Sequence, residues 1–291
     1  MPKLSLLKRS LATAAITLLS GASVAIPAQI VLNFPTPFRL KNTHWFDSKD
    51  GFAESFRVGG EGSLYIRTIN GGEVRKISDS DLSSLFLIDD RTGFVVGTGG
   101  EILLTEDRGK TWIRQESGTK IDLEKVFCVD RDKCWIVGYD DGLLLRGGAN
   151  GKWKQSNIVS GGSFHDIWFA NSKVGYAVGR DGLFLKTQDG GETWVRINIP
   201  TRMEVSTFID GVAIFEAVVF DTTERGCAAG WDIGTGIVAC TQDGGHTWNI
   251  NYLKAHPIGL IWGKKNQIFL VDEYGENLTS RDLGKTWTAW N

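Results

Sequence analysis

An all-β fold, a six-bladed β-propeller of four-stranded blades, is what this sequence predicts, on three observations. An eight-residue phrase, [ST]-x-D-x-G-x-T-W, recurs as TEDRGKTW (Thr105–Trp112), TQDGGETW (Thr187–Trp194), TQDGGHTW (Thr241–Trp248) and SRDLGKTW (Ser280–Trp287). A second phrase precedes each copy: an apolar strand, a polar turn, and an apolar strand ending at Gly, as in LFLIDDRTGFVVG (85–97) and IWFANSKVGYAVG (167–179). The pair repeats about every 40 residues, the length of one four-stranded blade.

The eight-residue phrase reads as a turn. Asp107, Asp189, Asp243 and Asp282 can accept hydrogen bonds from backbone N–H groups two or so residues on, and Gly109, Gly191, Gly245 and Gly284 permit positive φ. Trp112, Trp194, Trp248 and Trp287 then enter a strand with a large apolar face. Two decayed copies complete the set. RGGANGKW (146–153) has lost the Asp, and TINGGEVR (68–75) offers Asn70 in its place. The six copies start at 68, 105, 146, 187, 241 and 280, so the repeats count to six blades rather than seven. The long step before 241 is an insertion, with ten extra residues ahead of Val218 and three in GWDIGTGIVAC. Each repeat carries four short strands with turn signals between them.

Residues 1–25 read as a secretory signal: Lys3, Lys8 and Arg9 precede an apolar run from Leu11, and Ser23-Val24-Ala25 supplies a cleavage site. An uncleaved membrane anchor is the rival reading. No Cys lies near the cut, so no lipid anchor is expected. Residues 26–41 are expected as a linker or ring-closing strand, with QIVLNF adding an outer strand to the last blade. Residues 42–291 form the propeller, with blades near 42–77, 83–118, 124–156, 164–199, 214–252 and 257–291. Without the signal the chain holds 29 basic and 34 acidic residues, a balance that argues against nucleic acid as a partner.

Four cysteines flank hairpins, Cys128 with Cys134 and Cys227 with Cys240. Local cross-strand disulfides fit an exported chain; small buried thiols in reduced form are the other reading. His165 and His246 fall in different repeats, so no zinc site is expected, and no phosphate-binding Gly loop or nucleophile motif is present.

The strand phrase joined to the turn in VGYAVGRDGLFLKTQDGGETW (174–194) closely resembles the photosystem II assembly and stability factor family of cyanobacteria and plastids. The likeness runs through all six repeats. It implies an exported scaffold of the periplasm or thylakoid lumen that holds a membrane-protein precursor or partner subunit, with no catalysis and no cofactor.

Propeller connectivity sorts the loops into two faces. The eight-residue turns join strands three and four and share a face with the turns joining strands one and two. That face carries Lys49, Arg91, Arg131, Lys133, Lys173, Arg225, Lys264 and Lys265. The hairpins joining strands two and three share the other face with the blade-to-blade loops, and carry Glu61, Glu101, Asp140, Asp141, Asp181, Asp232, Asp272, Glu273 and Glu276. A molecule polarised in this way would orient against a charged partner. Tyr139, Arg180, Trp231 and Tyr274 join Asp140, Asp141, Asp181 and Asp232 as candidate partner-binding residues on the acidic face, which His165 could also reach. A glycan-active propeller of sialidase or glycosidase type is the alternative, with Asp140 or Asp181 as its acid.

Overall fold

The computed structural model describes residues 29–30, 41–47, 53–68, 71–140, 142–156, 162–201, 213–232, 234–263 and 266–290. The secretory signal, Asn70, Asp141 and residues 202–212 of the long insertion therefore lie outside the described residues.

Six antiparallel sheets follow one another along the chain. Blade 1 comprises Lys41–Asp47, Ala53–Gly59, Ser63–Thr68 and Gly71–Lys76; blade 2, Leu82–Leu87, Gly93–Gly97, Ile102–Thr105 and Ile113–Gln115. Blade 3 comprises Leu123–Asp130, Lys133–Gly138, Leu144–Gly147 and Lys154–Gln155; blade 4, Phe164–Phe169, Gly175–Gly179, Phe184–Thr187 and Val195–Arg196. Blade 5 comprises Ile214–Phe220, Gly226–Asp232, Thr235–Thr241 and Asn249–Leu253; blade 6, Pro257–Trp262, Ile268–Asp272, Leu278–Ser280 and Thr288–Ala289. Strand one of each blade from 1 to 5 packs beside strand one of the next, and the strand-one segments thus follow one another around the inside of the molecule. A fifth strand, Gln29–Ile30, pairs with strand one of blade 1 and approaches strand one of blade 6. Gln29–Ile30, the described part of the segment expected at the outer edge of the last blade, therefore sits at the inner edge of the first. There it covers a strand edge that would otherwise be unpaired.

The apolar residues of strands one to three meet between blades. Phe86 of blade 2 packs on Phe127 of blade 3 (ring centroids 5.1 Å apart), and Phe127 packs in turn on Trp168 of blade 4 (4.9 Å). Tyr176 of blade 4 stacks on Phe220 of blade 5 at 3.7 Å, and its hydroxyl donates to the Thr223 carbonyl. Each fully buried aromatic of this kind contributes about 1.5–3 kcal/mol through burial alone.

The recurring corner closes on its own side chains. In blade 4 the Thr187 hydroxyl accepts the Gly191 N–H (2.9 Å) and donates to Asp189 Oδ1 (2.8 Å). Asp189 then accepts the Thr193 N–H (2.9 Å) and hydroxyl (2.6 Å). The same pattern holds around Asp107, Asp243 and Asp282. The Asp reaches four residues on, not two, because the opening Thr or Ser hydroxyl has already taken the nearer N–H. Gly109, Gly191, Gly245 and Gly284 have φ of 73°, 86°, 95° and 78°, the left-handed region that Gly alone enters freely. In blade 3 the corner lacks its Asp, and Asn150 accepts the Lys152 N–H instead (3.0 Å).

Both cross-strand disulfides are formed, Cys128–Cys134 and Cys227–Cys240, each between directly opposed residues. Trp194 is buried at a blade seam, while Trp112, Trp248 and Trp287 are half-buried against the clusters between their blades and the preceding ones.

Candidate partner-binding site

Strand one of every blade carries an irregularity at the same place, and that of blade 3 carries a second between Cys128 and Asp130. The pairing of strands one and two skips a residue in each blade, leaving Asn42, Ser83, Glu124, His165, Glu216 and Ile258 as the extra residues. Such bulges turn a side chain out of the regular alternation. Because strand one starts at the blade-to-blade loop, the six bulges ring the central channel on the face of the strand-two-to-three hairpins.

In blades 3 to 5 this mouth gathers a connected cluster. His165 Nδ1 lies 2.9 Å from Glu216 Oε2, and the Trp231 indole N–H donates to Glu216 Oε1 at 3.3 Å. The Tyr139 ring stacks parallel to the His165 imidazole with centroids 6.2 Å apart. The Arg180 guanidinium lies 5.1 Å above the Tyr139 ring and donates to its hydroxyl. Burial pushes the Glu216 carboxyl upward. The His165 hydrogen bond and charge, the Trp231 N–H and the Arg180 charge outweigh it, so Glu216 titrates below the usual glutamate value. An ionised Glu216 fixes the His165 ring, and the opposite nitrogen, Nε2, is buried with no hydrogen-bond partner.

The structure thus brings together three predicted residues, Tyr139, Arg180 and Trp231, with His165. It adds Glu216, which the sequence reading missed. Glu216 and His165 stand at the same bulge position of adjacent blades, so superposing the six strand-one segments would have exposed the pair. Asp140 and Asp181 sit exposed on separate hairpin tips. Tyr274, 72% exposed, packs edge-on to His256 of blade 6 and is not part of the cluster.

The charge sorting needs correction on both faces. Asp232, Glu101 and Asp272 are buried (2%, 2% and 4% exposed), not surface charges. Asp272 accepts the N–H groups of His256, Tyr274 and Glu276, so it is a turn-forming acceptor. Glu101 meets Arg114 at 2.7 Å. On the corner face the expected basic ring is largely neutralised: Arg131 pairs with Glu106, Arg225 with Asp221, and Lys133 with Asp130 (3.3 Å). The two turns of each of blades 2 to 5 lie side by side there, as the Gly190 N–H to Lys173 carbonyl bond of blade 4 shows. Cations and carboxylates of neighbouring turns therefore fall within reach of each other. Lys49, Lys264 and Lys265 lie outside the described residues.

Among the described residues no group of His, Cys, Asp and Glu is arranged to hold a metal ion. No helix there is long and apolar enough to cross a membrane.

Residues 147–290 match the model of a family described as photosynthesis system II assembly factor YCF48. Among solved structures, YCF48 from Cyanidioschyzon merolae is similar with a TM-score of 0.66 and 18% identity, over 90% of this chain and 88% of that one. A structure of YCF48 bound to D1 peptide gives 0.55 at 15% identity, over 72% of this chain and 66% of that one, just under two thirds of its length. A streptogramin B lyase gives 0.62 at 10% identity, over 91% of this chain and 87% of that one. No curated protein matches the chain in sequence. At these identities the structural likeness speaks to the fold.

Proposed function

We propose that this chain, whose residues 147–290 match the photosystem II assembly factor model, is an exported, non-enzymatic scaffold that holds a segment of a membrane-protein partner during assembly of a complex. The observation that carries this reading is the cluster at the channel mouth. Tyr139, Arg180 and Trp231 present aromatic faces and a guanidinium that the His165–Glu216 pair locks in place. Rigid aromatic and arginine side chains of this kind dominate protein-recognition surfaces. That a YCF48 structure was obtained with a D1 peptide supports a peptide segment as the ligand class. Two buried disulfides agree with an oxidising compartment such as the periplasm or the thylakoid lumen.

The test is affinity capture with the tagged chain from detergent-solubilised membranes of its host. Recovery of a defined membrane protein, lost on Trp231→Ala, is the expected result. Turnover of fluorogenic glycosides that Asp140→Asn or Asp181→Asn abolishes would replace the scaffold with a glycan-active enzyme.

A further inference from the structure

The hairpins joining strands two and three carry exposed carboxylates at Glu61, Asp140, Asp181, Glu273 and Glu276. Among the described residues, the side chains of Asp140, Asp181, Glu273 and Glu276 make no hydrogen bond or ion pair. Cations also reach these hairpins: Arg180 is held over Tyr139 and faces Glu216, Arg196 donates to the Asp181 carbonyl (2.8 Å), and Lys76 lies close enough to Glu61 to feel its charge, yet none of them forms an ion pair with Asp140, Asp181, Glu273 or Glu276. This contrasts with the corner face, where carboxylates and cations are matched. A second observation points the same way. Asp232, the last residue of strand two in blade 5, is buried beneath its hairpin tip, and neither carboxyl oxygen has a hydrogen-bond partner. A buried carboxyl without donors is costly, and a cation brought to the tip would offset that penalty.

Resting on the scaffold reading, we infer that the hairpin face docks a partner segment bearing lysine or arginine side chains, which meet this rim of unmatched carboxylates around Trp231. Trp231 is 39% exposed and offers an indole face to the aliphatic stem or the charge of such a side chain. The complementarity is electrostatic, so it steers and orients the partner more than it sets the final affinity.

The experiment is fluorescence anisotropy of the full chain with labelled decapeptides of alternating Lys and Gly, or alternating Glu and Gly. The basic peptide is expected to bind with an affinity that falls as salt rises, and the acidic one not to bind. The double variant Asp140→Asn/Asp181→Asn should weaken the basic peptide about fivefold. Asn tolerates the left-handed backbone of Asp181 (φ 56°), so that hairpin stays folded, and an unchanged melting temperature checks it. The corner-face variant Asp90→Asn/Glu106→Gln should bind like the parent. Equal binding of both peptides, no binding of either, or no loss in the tip variant overturns the inference. If a membrane protein is captured regardless of tip charge, the scaffold reading stands and the basic-segment inference alone falls.

Discussion

The Trp135 indole of blade 3 donates its N–H to the Gly190 carbonyl in the corner of blade 4, at 2.9 Å. The same ring stacks on Phe169 with centroids 3.5 Å apart and planes 11° from parallel. A corresponding corner carbonyl is met from the preceding blade at each other seam with a described corner. Arg75 donates to Gly109, Gln115 to Ala149, Lys186 to Gly244, and Asn249 and Asn251 to Gly284. The corner is therefore both a turn within its blade and an acceptor for its neighbour.

Trp135→Phe keeps an aromatic ring on Phe169 and removes the N–H. The loss should be about 1 kcal/mol, one hydrogen bond to a corner carbonyl. Trp135→Ala removes the stacked ring as well and should lose about 3–5 kcal/mol. Urea unfolding of the two variants measures the difference; equal losses would show that the N–H bond sets the stability of this seam.

Gly191→Ala should destabilise through two effects at once. Its φ is 86°, and an added Cβ would lie 2.9 Å from Trp135 Nε1. Gly99 also has positive φ (67°), but nothing lies within 4 Å of the position its Cβ would take. Gly99→Ala should lose about 1 kcal/mol from backbone strain, and Gly191→Ala clearly more. Thermal melts of the pair separate strain from crowding.

The corner aspartates make acid a selective stress. The Thr111 hydroxyl and N–H hold Asp107 down to about 2. At Asp189 burial pushes upward, but the Thr193 and Thr187 hydrogen bonds prevail and bring it to about 2. Asp282 falls to about 2 through Thr286. A carboxyl lowered in the folded state stabilises above its unfolded value, roughly pH 4, and that contribution is lost as pH falls toward 2. Urea midpoints should thus drop steeply between pH 4 and 2, and the drop should be smaller in Asp189→Asn. A slope identical in variant and parent would remove Asp189 from the account.

The corners and the blade count were legible because their demands are local: an acceptor, a left-handed Gly and a Trp within eight residues. The seams were not, since Arg75, Gln115, Trp135, Lys186 and Asn249 perform one task with five different side chains. The His165–Glu216 pair was hidden for another reason. The two residues are 51 apart in sequence, and only the shared bulge turns both into the channel mouth. The charge sorting went astray because cations meet carboxylates of their own or a neighbouring turn, as Arg225 does Asp221 and Arg131 does Glu106, and because Asp232, Glu101 and Asp272 are buried.

Replacing the disulfide Cys227–Cys240 with two alanines should lose about 2–3 kcal/mol. The effect should reach blade 6, because the Cys240 sulfur packs directly against Gly284 in its corner. Hydrogen exchange of Thr286 and Trp287 in the variant reads this out; faster exchange confined to blade 5 would limit the staple to its own sheet.

Site-specific photo-cross-linking tests the central claim most directly, with the photoreactive residue placed at position 231 at the channel mouth or at position 108 on the corner face. The account predicts a membrane-protein adduct from position 231 and none from position 108. An adduct only from position 108, or none from either, would contradict it.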